Sequence, residues 1–378
     1  MMAKEFEVAN PVRRMKLAVI VPSLKLGGME RVATMVANFF STKPTWEAYL
    51  ITLSPSEPFF PLDHGVDLVP VLESRSRIVP RKLTTLACLR RTVKRIRPDV
   101  AISFGSMYNS YVLLALLGTN IPVYVSDRSN PYRNTRLSSK GSSLERHDGI
   151  MHFLLRRALY RYSAGILAQT KVACEIEKSL PGRPKKIIYF PNPIEAGSGI
   201  NVSSRDKVIL NVGRFIRTKN QTELLEIFAD LKPAGWRLCF LGDGPELAAA
   251  KSIAKQLGVL DKVDFEGAVL DVSSYMETSQ IFAFTSLSEG FPNALAEAMS
   301  NGLACISYDC VAGPADLITD SVNGYLIPSG DRNSYTKKLE NLLNDQQERL
   351  RFSSRARESV KSFSANNVLG SLEKEIRP

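Results

Sequence analysis

Short apolar runs alternate with stretches long enough to hold helices throughout this sequence. In the first half the runs are KLAVIVP (16–22), AYLITL (48–53), DVAISF (99–104), PVYVSD (122–127), AGILAQ (164–169) and KIIYFPN (186–192). Continuous apolar runs of this length are typical of buried parallel strands, and their alternation with helices predicts βαβ units. We therefore expect a doubly wound α/β domain with helices on both faces of the sheet.

The alternation resumes after a small, polar stretch, EAGSGINVSSRD (195–206), which has the composition of a linker. The second set of runs is KVILNVG (207–213), WRLCFLG (236–242), KVDFEG (262–267), QIFAFTS (280–286) and ACISYD (304–309). The sequence thus predicts an N-terminal extension (1–14), two Rossmann-like domains (15–195 and 196–360) and a C-terminal helix (361–378) that crosses back to the first domain. Because ligands bind at the carboxyl ends of parallel strands, two such domains facing each other form an interdomain cleft.

The composition excludes several classes of protein. Apolar residues make up 44% of the chain, yet no run approaches the roughly 18 apolar residues of a transmembrane helix. The polar N-terminus lacks the apolar core of a signal peptide. The five cysteines show no ligand spacing, which is typical of buried thiols and predicts no metal site. These features favour a cytoplasmic protein.

The net charge of +11 resides in the first half of the chain. Residues 1–200 carry 29 Lys/Arg against 15 Asp/Glu, which leaves 20 against 23 for the remainder. Within the most basic segment, 75–97, a helix would have an apolar face (Leu86, Leu89, Val93, Ile96) and a basic face (Arg90, Arg91, Lys94, Arg95). Such a helix predicts docking on an anionic membrane surface; the alternative is an ordinary solvated helix. A nucleic-acid partner is not expected, because the helix lacks interleaved aromatic residues.

Two carboxylates flank a predicted helix start in the stretch SLSEGFPNALAEAMSNG. Pro292 is favourable in the first turn of a helix, so Glu289 lies in the preceding loop and Glu297 inside the helix. The first amides of that helix, those of Asn293, Ala294 and Leu295, would be unpaired and would form a site for a phosphate group. The two carboxylates would then hold hydroxyl groups on either side of the phosphate rather than share a proton.

The segment NVGRFIRTKNQ supplies cations at the end of another strand of the same sheet. Gly213 lets the backbone approach a ligand, Arg214 can form two hydrogen bonds to phosphate oxygens, and Lys219 provides a compact charge. Together the two cations can neutralise a diphosphate leaving group. Each residue taken alone is more typical of a solvated surface charge.

Five motifs follow one another along the chain: G-G-M-E-R (27–31), N-V-G-R-x-x-x-x-K-N (211–220), G-D-G-P (242–245), V-x-F-x-G (263–267) and E-G-F-P-N-x-x-x-E (289–297). In this combination and order the chain resembles the family-four retaining glycosyltransferases of the GT-B fold, from about residue 16 to residue 328. The resemblance implies a nucleotide-sugar donor as substrate, with no metal ion and no further cofactor.

The resemblance also implies roles for individual residues. The donor diphosphate would be bound by the backbone at Gly290, Phe291, Asn293 and Ala294 and by the side chains of Arg214 and Lys219. Glu289 would contact the transferred sugar, and Glu297 would hold the ribose hydroxyls. The pair Gly27 and Gly28 would approach the phosphate or the acceptor from the first domain, and the backbone from Gly267 to Val269 would meet the base.

One position departs from the family pattern. Many relatives have a histidine after the fifth strand of the first domain, where this chain has Asp127 and Arg128. For Arg128 we expect a contact with the leaving phosphate or the acceptor, and for Asp127 a contact with the acceptor hydroxyl. The departure is compatible with substitution on one face of the sugar, in which the leaving diphosphate itself takes the acceptor proton.

The segment SYDCVAGPADLI (307–318) is similar to the subgroup that builds bacterial surface polysaccharides and lipid-linked oligosaccharides, often from UDP-sugars. We therefore expect transfer of a hexose or N-acetylhexosamine to a polyprenyl-diphosphate-linked or other glycan acceptor. The site of action would be the cytoplasmic face of the inner membrane. A sugar-nucleotide epimerase or a synthase on the same fold is the alternative.

Overall fold

The computed structural model describes residues 13–25, 27–71, 81–128, 153–197 and 205–377. The strands are β1 Met15–Val21, β2 Trp46–Thr52, β3 Val66–Pro70, β4 Val100–Phe104, β5 Val123–Asp127, β6 Gly165–Ala168, β7 Ile187–Tyr189, β8 Asp206–Val212, β9 Arg237–Leu241, β10 Val263–Gly267, β11 Ser279–Phe284, β12 Ala304–Asp309 and β13 Tyr325–Pro328. The helices are α1 Gly28–Ser41, α2 Arg81–Ile96, α3 Ser106–Leu116, α4 Lys171–Ser179, α5 Gln221–Leu231, α6 Leu247–Gln256, α7 Val272–Thr278, α8 Asn293–Ser300, α9 Pro314–Leu317, α10 Arg332–Asn344, α11 Gln346–Val360 and α12 Ala365–Ile376. Residues 153–159 are also helical.

Two parallel sheets carry these elements. The first has the order β3-β2-β1-β4-β5-β6-β7 and the second the order β10-β9-β8-β11-β12-β13. All strand pairs in both sheets are parallel. The predicted α/β class with two doubly wound, Rossmann-like sheets is therefore confirmed.

Each sheet has an apolar layer on both of its faces. The central strands β4, β5 and β11 are buried along their whole length, as expected for continuous apolar runs between two helix layers. In α1 the residues Val32, Val36 and Phe40 recur at helical spacing and pack against the first sheet. The fold thus follows directly from the alternation of apolar runs and amphipathic helices.

The sequence prediction omitted two edge strands. β3 is largely exposed and contains Asp67, so it shows no continuous apolar run. β13 has only four residues. Edge strands are half-solvated and short, and pairing with β2 and β12 rather than a local pattern defines them.

The last helix, α12, packs on the first domain. Val368, Leu369, Leu372 and Ile376 belong to the apolar cluster beneath the first sheet. The indole of Trp46 donates a 2.9 Å hydrogen bond to the carboxylate of Glu373. None of the helices in the described part of the chain is long and apolar enough to cross a bilayer.

The basic helix α2 is oriented as predicted except at one residue. Leu89, Val93 and Ile96 are buried, and Arg91, Lys94 and Arg95 are exposed. The prediction that Arg90 faces outward is wrong, because its Nη1 donates to the carbonyl oxygens of Ala115 and Leu117 at 2.7 and 2.8 Å. The last carbonyls of α3 have no partner within that helix and attract this cation.

Candidate functional site

The candidate residues lie at facing strand ends of the two sheets. Each sheet has a point at which successive strands add on opposite sides, between β1 and β4 in the first and between β8 and β11 in the second. Gly27 and Gly28 follow β1, Lys219 follows β8, and Glu289 follows β11. Open α/β sheets bind ligands at such points.

Lys219 and Glu289 form an ion pair within the second domain. Nζ of Lys219 lies 2.6 Å from Oε1 of Glu289, and the two side chains are only 21% and 9% exposed. The amide of Leu287 donates to the carbonyl of Thr218 at 2.8 Å, which fixes the two loops against each other. A phosphate ligand would compete with Glu289 for Lys219 and would leave the carboxylate available to a sugar hydroxyl.

The start of α8 differs in detail from the prediction. The helix begins at Asn293, and Pro292 stands one position earlier, where its carbonyl accepts the first helical hydrogen bond. The amide of Asn293 donates to the carbonyl of Phe291 at 3.0 Å, so the prediction that this amide is unpaired is wrong. The compact turn at Pro292 brings that carbonyl back onto the amide. The amides of Ala294 and Leu295 come before that of Ala296, which donates the first helical hydrogen bond.

Glu297 pairs with a cation from the first domain. Nη1 of Arg31 in α1 donates to Oε1 of Glu297, and Nη2 of Arg31 lies 3.4 Å from Glu195. Burial raises the pKa of Glu297 more than Arg31 lowers it. Burial opposes the charge of Arg31, but the two carboxylates outweigh it and raise its pKa. The negative charge of Glu297, the residue predicted to bind the ribose, is thus neutralised by Arg31 from the other side of the cleft.

A second contact across the cleft runs through Asn192. Its Nδ2 donates to Oδ1 of Asn293 at 2.7 Å, and its Oδ1 accepts from Nη1 of Arg128 at 2.5 Å. A Cβ on Gly28 would lie 3.1 Å from Nδ2 of Asn293, so the turn before α1 comes close to the start of α8. The structure therefore brings the predicted residues Gly28, Arg128 and Asn293 together.

Asp127 belongs to a buried polar network behind this contact. Oδ1 of Asp127 accepts from Asn109 and from Tyr160 at 2.8 Å each, and Nη2 of Arg156 lies 3.4 Å from Oδ2. Arg156 also pairs with Glu177, whose pKa is raised by burial more than Arg156 lowers it. Both oxygens of Asp127 thus bind protein donors, which favours a positioning role; its predicted contact with an acceptor hydroxyl stays a prediction.

The other predicted donor residues surround the same strand ends. Arg214 is exposed and forms no ion pair with any described residue. Gly267 has a φ of +72°, and its carbonyl accepts from Gly242 at 2.6 Å. Val269 packs on the apolar cluster beneath. The remaining members of the set are half-buried or buried: Gly27, Gly213, Gly290, Phe291 and Ala294.

The glycines of the G-D-G-P motif allow two loops to touch. A Cβ on Gly242 would lie 2.1 Å from the carbonyl oxygen of Gly213, and one on Gly244 would lie 2.4 Å from that of Phe215. Both glycines also have positive φ, at 139° and 154°. The motif therefore holds the loop after β8, which carries Lys219, against the loop after β9.

Sequence reasoning gave no role to Arg31 or Asn192, and it did not identify the network around Arg156. Arg31 stands in the G-G-M-E-R motif and Asn192 follows β7, so each had a weak positional signal. Within the described ranges, no group of His, Cys, Asp and Glu side chains is arranged to hold a metal ion.

Comparison with known families matches two adjacent parts of the chain. Residues 26–197 match the family described as Glycosyltransferase Family 4. Residues 198–359 match the family described as Glycosyl transferases group 1. The two matches meet between residues 197 and 198 and together include every strand of the two sheets except β1.

Among curated proteins, the chain is 27% identical over 365 residues to a Campylobacter jejuni enzyme, covering 94% of this chain and 96% of the relative. Its name is GalNAc-alpha-(1->4)-GalNAc-alpha-(1->3)-diNAcBac-PP-undecaprenol alpha-1,4-N-acetyl-D-galactosaminyltransferase. Among solved structures, the apo lipopolysaccharide outer core galactosyltransferase WaaB superposes with a TM-score of 0.73 at 20% identity, over 96% of this chain and 99% of that one.

Anabaena HepE in complex with UDP also superposes with a TM-score of 0.73, at 18% identity, over 96% of this chain and 99% of the other. Likeness at this identity establishes the fold, and the two family matches establish the relationship. With its two facing parallel sheets and these matches along both halves, the chain belongs to the family-four glycosyltransferases of the GT-B fold.

Proposed function

We propose that this glycosyltransferase moves a hexose or N-acetylhexosamine from a UDP-sugar to a polyprenyl-diphosphate-linked glycan, with retention and without a metal ion. The observation that carries the proposal is the set of groups around the start of α8. Lys219 and Glu289 lie on one side of it and Glu297 on the helix itself, at the carboxyl ends of two strands of the second sheet. This set offers a cation for a diphosphate and two carboxylates for hydroxyl groups.

Two of the similar proteins support the choice of substrates. The Campylobacter jejuni relative is named for an acceptor linked through PP to undecaprenol. The HepE structure contains UDP. Synthesis of a bacterial surface polysaccharide is the corresponding process, at the cytoplasmic face of the inner membrane.

The proposed reaction uses these groups. The donor diphosphate would bind the amides of Ala294 and Leu295 and Nζ of Lys219, while Glu297 exchanges Arg31 for the ribose hydroxyls. The bond from the anomeric carbon to the diphosphate oxygen breaks as the acceptor oxygen attacks from the same face, and the acceptor proton passes to the leaving diphosphate. The protein contributes positioning and a fixed positive field at the leaving group.

A direct test measures donor use in the presence of a metal chelator. We expect UDP to raise the melting temperature of the protein, since a ligand that binds only the folded state stabilises it. With a lipid-diphosphate glycan as acceptor, the product glycoside should keep the anomeric configuration of the donor when it is examined by NMR. An inverted product, or stabilisation by other nucleotides and not by UDP, would contradict the proposal.

The variant Glu297→Gln tests the site itself. It removes the charge that would bind the ribose, and hydrogen bonds to charged groups contribute about 1.5–3 kcal/mol, so the affinity for UDP should fall about 10- to 100-fold. Glu340→Gln, at an exposed position on α10, is the matched control and should bind UDP like the parent protein. Equal affinities in the two variants would remove Glu297 from the donor site.

The first domain also offers a surface suited to a membrane. Arg91, Lys94 and Arg95 are exposed on α2. On the adjacent α3, Met107 and Leu114 are 52% and 43% exposed, although both are large apolar side chains. Exposed apolar groups on a helix that packs against the one carrying the cations match the interface of an anionic bilayer, so we propose that this surface docks on the membrane that holds the acceptor.

Changing Arg91, Lys94 and Arg95 together to serine should weaken co-sedimentation with vesicles that contain phosphatidylglycerol. At about 1 kcal/mol for each cation, the partition coefficient should fall roughly 100-fold. The control replaces Lys251, Lys255 and Lys262 of the second domain, which are also exposed and carry the same total charge. Equal losses in the two triple variants would indicate a general charge effect and would contradict docking through α2.

A further inference from the structure

The guanidinium of Arg128 lies between two aromatic rings at the end of the first sheet. Its Cζ is 5.3 Å from the ring centroid of Phe104 and 4.6 Å from that of Phe190. Nη1 donates to Oδ1 of Asn192 at 2.5 Å and to the carbonyl of Phe190 at 3.4 Å. These contacts fix the plane of the group and use one of its three nitrogens.

The other two nitrogens, Nε and Nη2, are buried and donate to no described residue. The hydrogens on these two atoms point in parallel, and this edge of a guanidinium is the one that binds two oxygens of a carboxylate or phosphate. Buried donors without acceptors cost about 1–3 kcal/mol each. A ligand with two acceptor oxygens would recover that cost.

Arg128 forms no ion pair with a carboxylate of any described residue, although the charge of Asp127 raises its pKa and partly offsets the larger effect of burial. Its neighbour Asp127 is bound by Arg156 and two neutral donors. Arg156 is a useful contrast within the same domain, because Asp127 and Glu177 both balance it. Burial lowers the pKa of Arg128 to about 9, so the group remains charged at neutral pH. The charge of Arg156 is therefore neutralised within the fold, whereas Arg128 keeps two donor nitrogens that a ligand could use.

Asn192 connects this edge to the donor site. Because a guanidinium only donates, the oxygen of Asn192 must face Arg128 and its nitrogen must face Oδ1 of Asn293. The observed distances of 2.5 and 2.7 Å agree with that orientation. The unpaired edge of Arg128 therefore lies two hydrogen bonds from the start of α8, on the opposite side of the cleft from Lys219.

We propose that the Nε and Nη2 edge of Arg128 binds two oxygens of a substrate phosphate, and that Asn192 is the residue that positions it. The inference rests on the proposed function for the supply of such phosphates. Two sources share this chemistry, the diphosphate of the nucleotide-sugar donor and the diphosphate of the lipid-linked acceptor.

The test measures the binding of UDP, uridine and farnesyl diphosphate by calorimetry to four proteins. Arg128→Lys keeps the charge and removes the edge, Asn192→Ala releases the guanidinium, and Arg183→Lys is an exposed control in the same domain. We expect the affinity for a diphosphate ligand to fall about 10- to 100-fold in both site variants. The control should bind all three ligands like the parent protein.

The ligand whose affinity falls identifies the source of the phosphate. A loss confined to UDP assigns Arg128 to the donor, and a loss confined to farnesyl diphosphate assigns it to the acceptor. For Asn192→Ala, a lower affinity for UDP with unchanged affinity for uridine indicates positioning at the phosphate, since a general disturbance of the fold would weaken both. Unchanged binding of both diphosphates in the two site variants overturns the proposal.

The outcome is separable from that of the proposed function. If Glu297→Gln lowers the affinity for UDP while the Arg128 and Asn192 variants bind both diphosphates like the parent protein, the donor site stands and only this inference fails. If Arg128→Lys does not fold, Asn192→Ala alone decides, because it keeps the buried cation and both aromatic contacts. If UDP does not bind the parent protein at all, the proposed donor fails, and farnesyl diphosphate still tests Arg128.

Discussion

Alanine at Lys219 or at Glu289 is expected to lower the turnover of the donor sugar by about 100- to 1000-fold, the range for the loss of one group that stabilises developing charge. In the Lys219 variant the leaving diphosphate would lose a neutralising charge, and in the Glu289 variant the sugar would lose a hydrogen-bond partner. UDP release from the donor, measured with and without acceptor, gives the rate. Lys262→Ala is the matched control, at an exposed position of the same domain.

Stability separates the two contributions of this pair. The side chains are 21% and 9% exposed, so each single variant leaves a largely buried charge unpaired, at a cost of about 3 kcal/mol. The double variant removes both charges, and its free energy of unfolding in urea should recover most of that loss. Its activity should not recover. A fully active double variant would refute the assignment of both residues to the site.

Replacing Arg156 by methionine should be the most damaging change to the fold of the first domain. Arg156 is buried between the carboxylates of Asp127 and Glu177. Its loss leaves two buried charges without a cation, which costs about 3–5 kcal/mol at pH 8. Chemical unfolding of the parent and the variant measures the difference.

The pH dependence of that loss tests its electrostatic cause. Burial already raises the pKa of Glu177 above its unfolded value, and removal of Arg156 raises it further. For an acid whose folded pKa is raised, the penalty is present above the folded pKa and disappears below the unfolded one. The difference between parent and variant should therefore shrink as the pH falls from 8 to 5. Addition of Asp127→Asn and Glu177→Gln should restore stability, and a loss independent of pH would indicate a packing defect.

Most of the fold was predictable because its information is local. A buried parallel strand needs a continuous apolar run, and all of the runs identified in the sequence form strands of the two sheets. β3 was omitted because it is largely exposed and Asp67 interrupts its apolar run, and β13 because its run has only four residues. These two strands are defined by their hydrogen bonds to β2 and β12 rather than by their own sequence pattern.

The candidate site was predictable only in part. The positions of Lys219 and Glu289 after strands of the same sheet followed from the sequence, but the ion pair between them did not. Arg90 was placed outside because helical spacing does not reveal the carbonyls of a neighbouring helix. The unpaired amide assigned to Asn293 was wrong because a single turn at Pro292 decides it.

By itself the sequence determined the α/β class, the two parallel sheets, and the strand ends at which chemistry is possible, since periodicity and glycine turns act over a few residues. Only the tertiary structure decided which groups meet. Arg31 pairs with Glu297, and Asn192 joins Arg128 to Asn293, across 266 and 101 residues of chain. Such contacts depend on how the two sheets face each other, and no local pattern in either half encodes that arrangement.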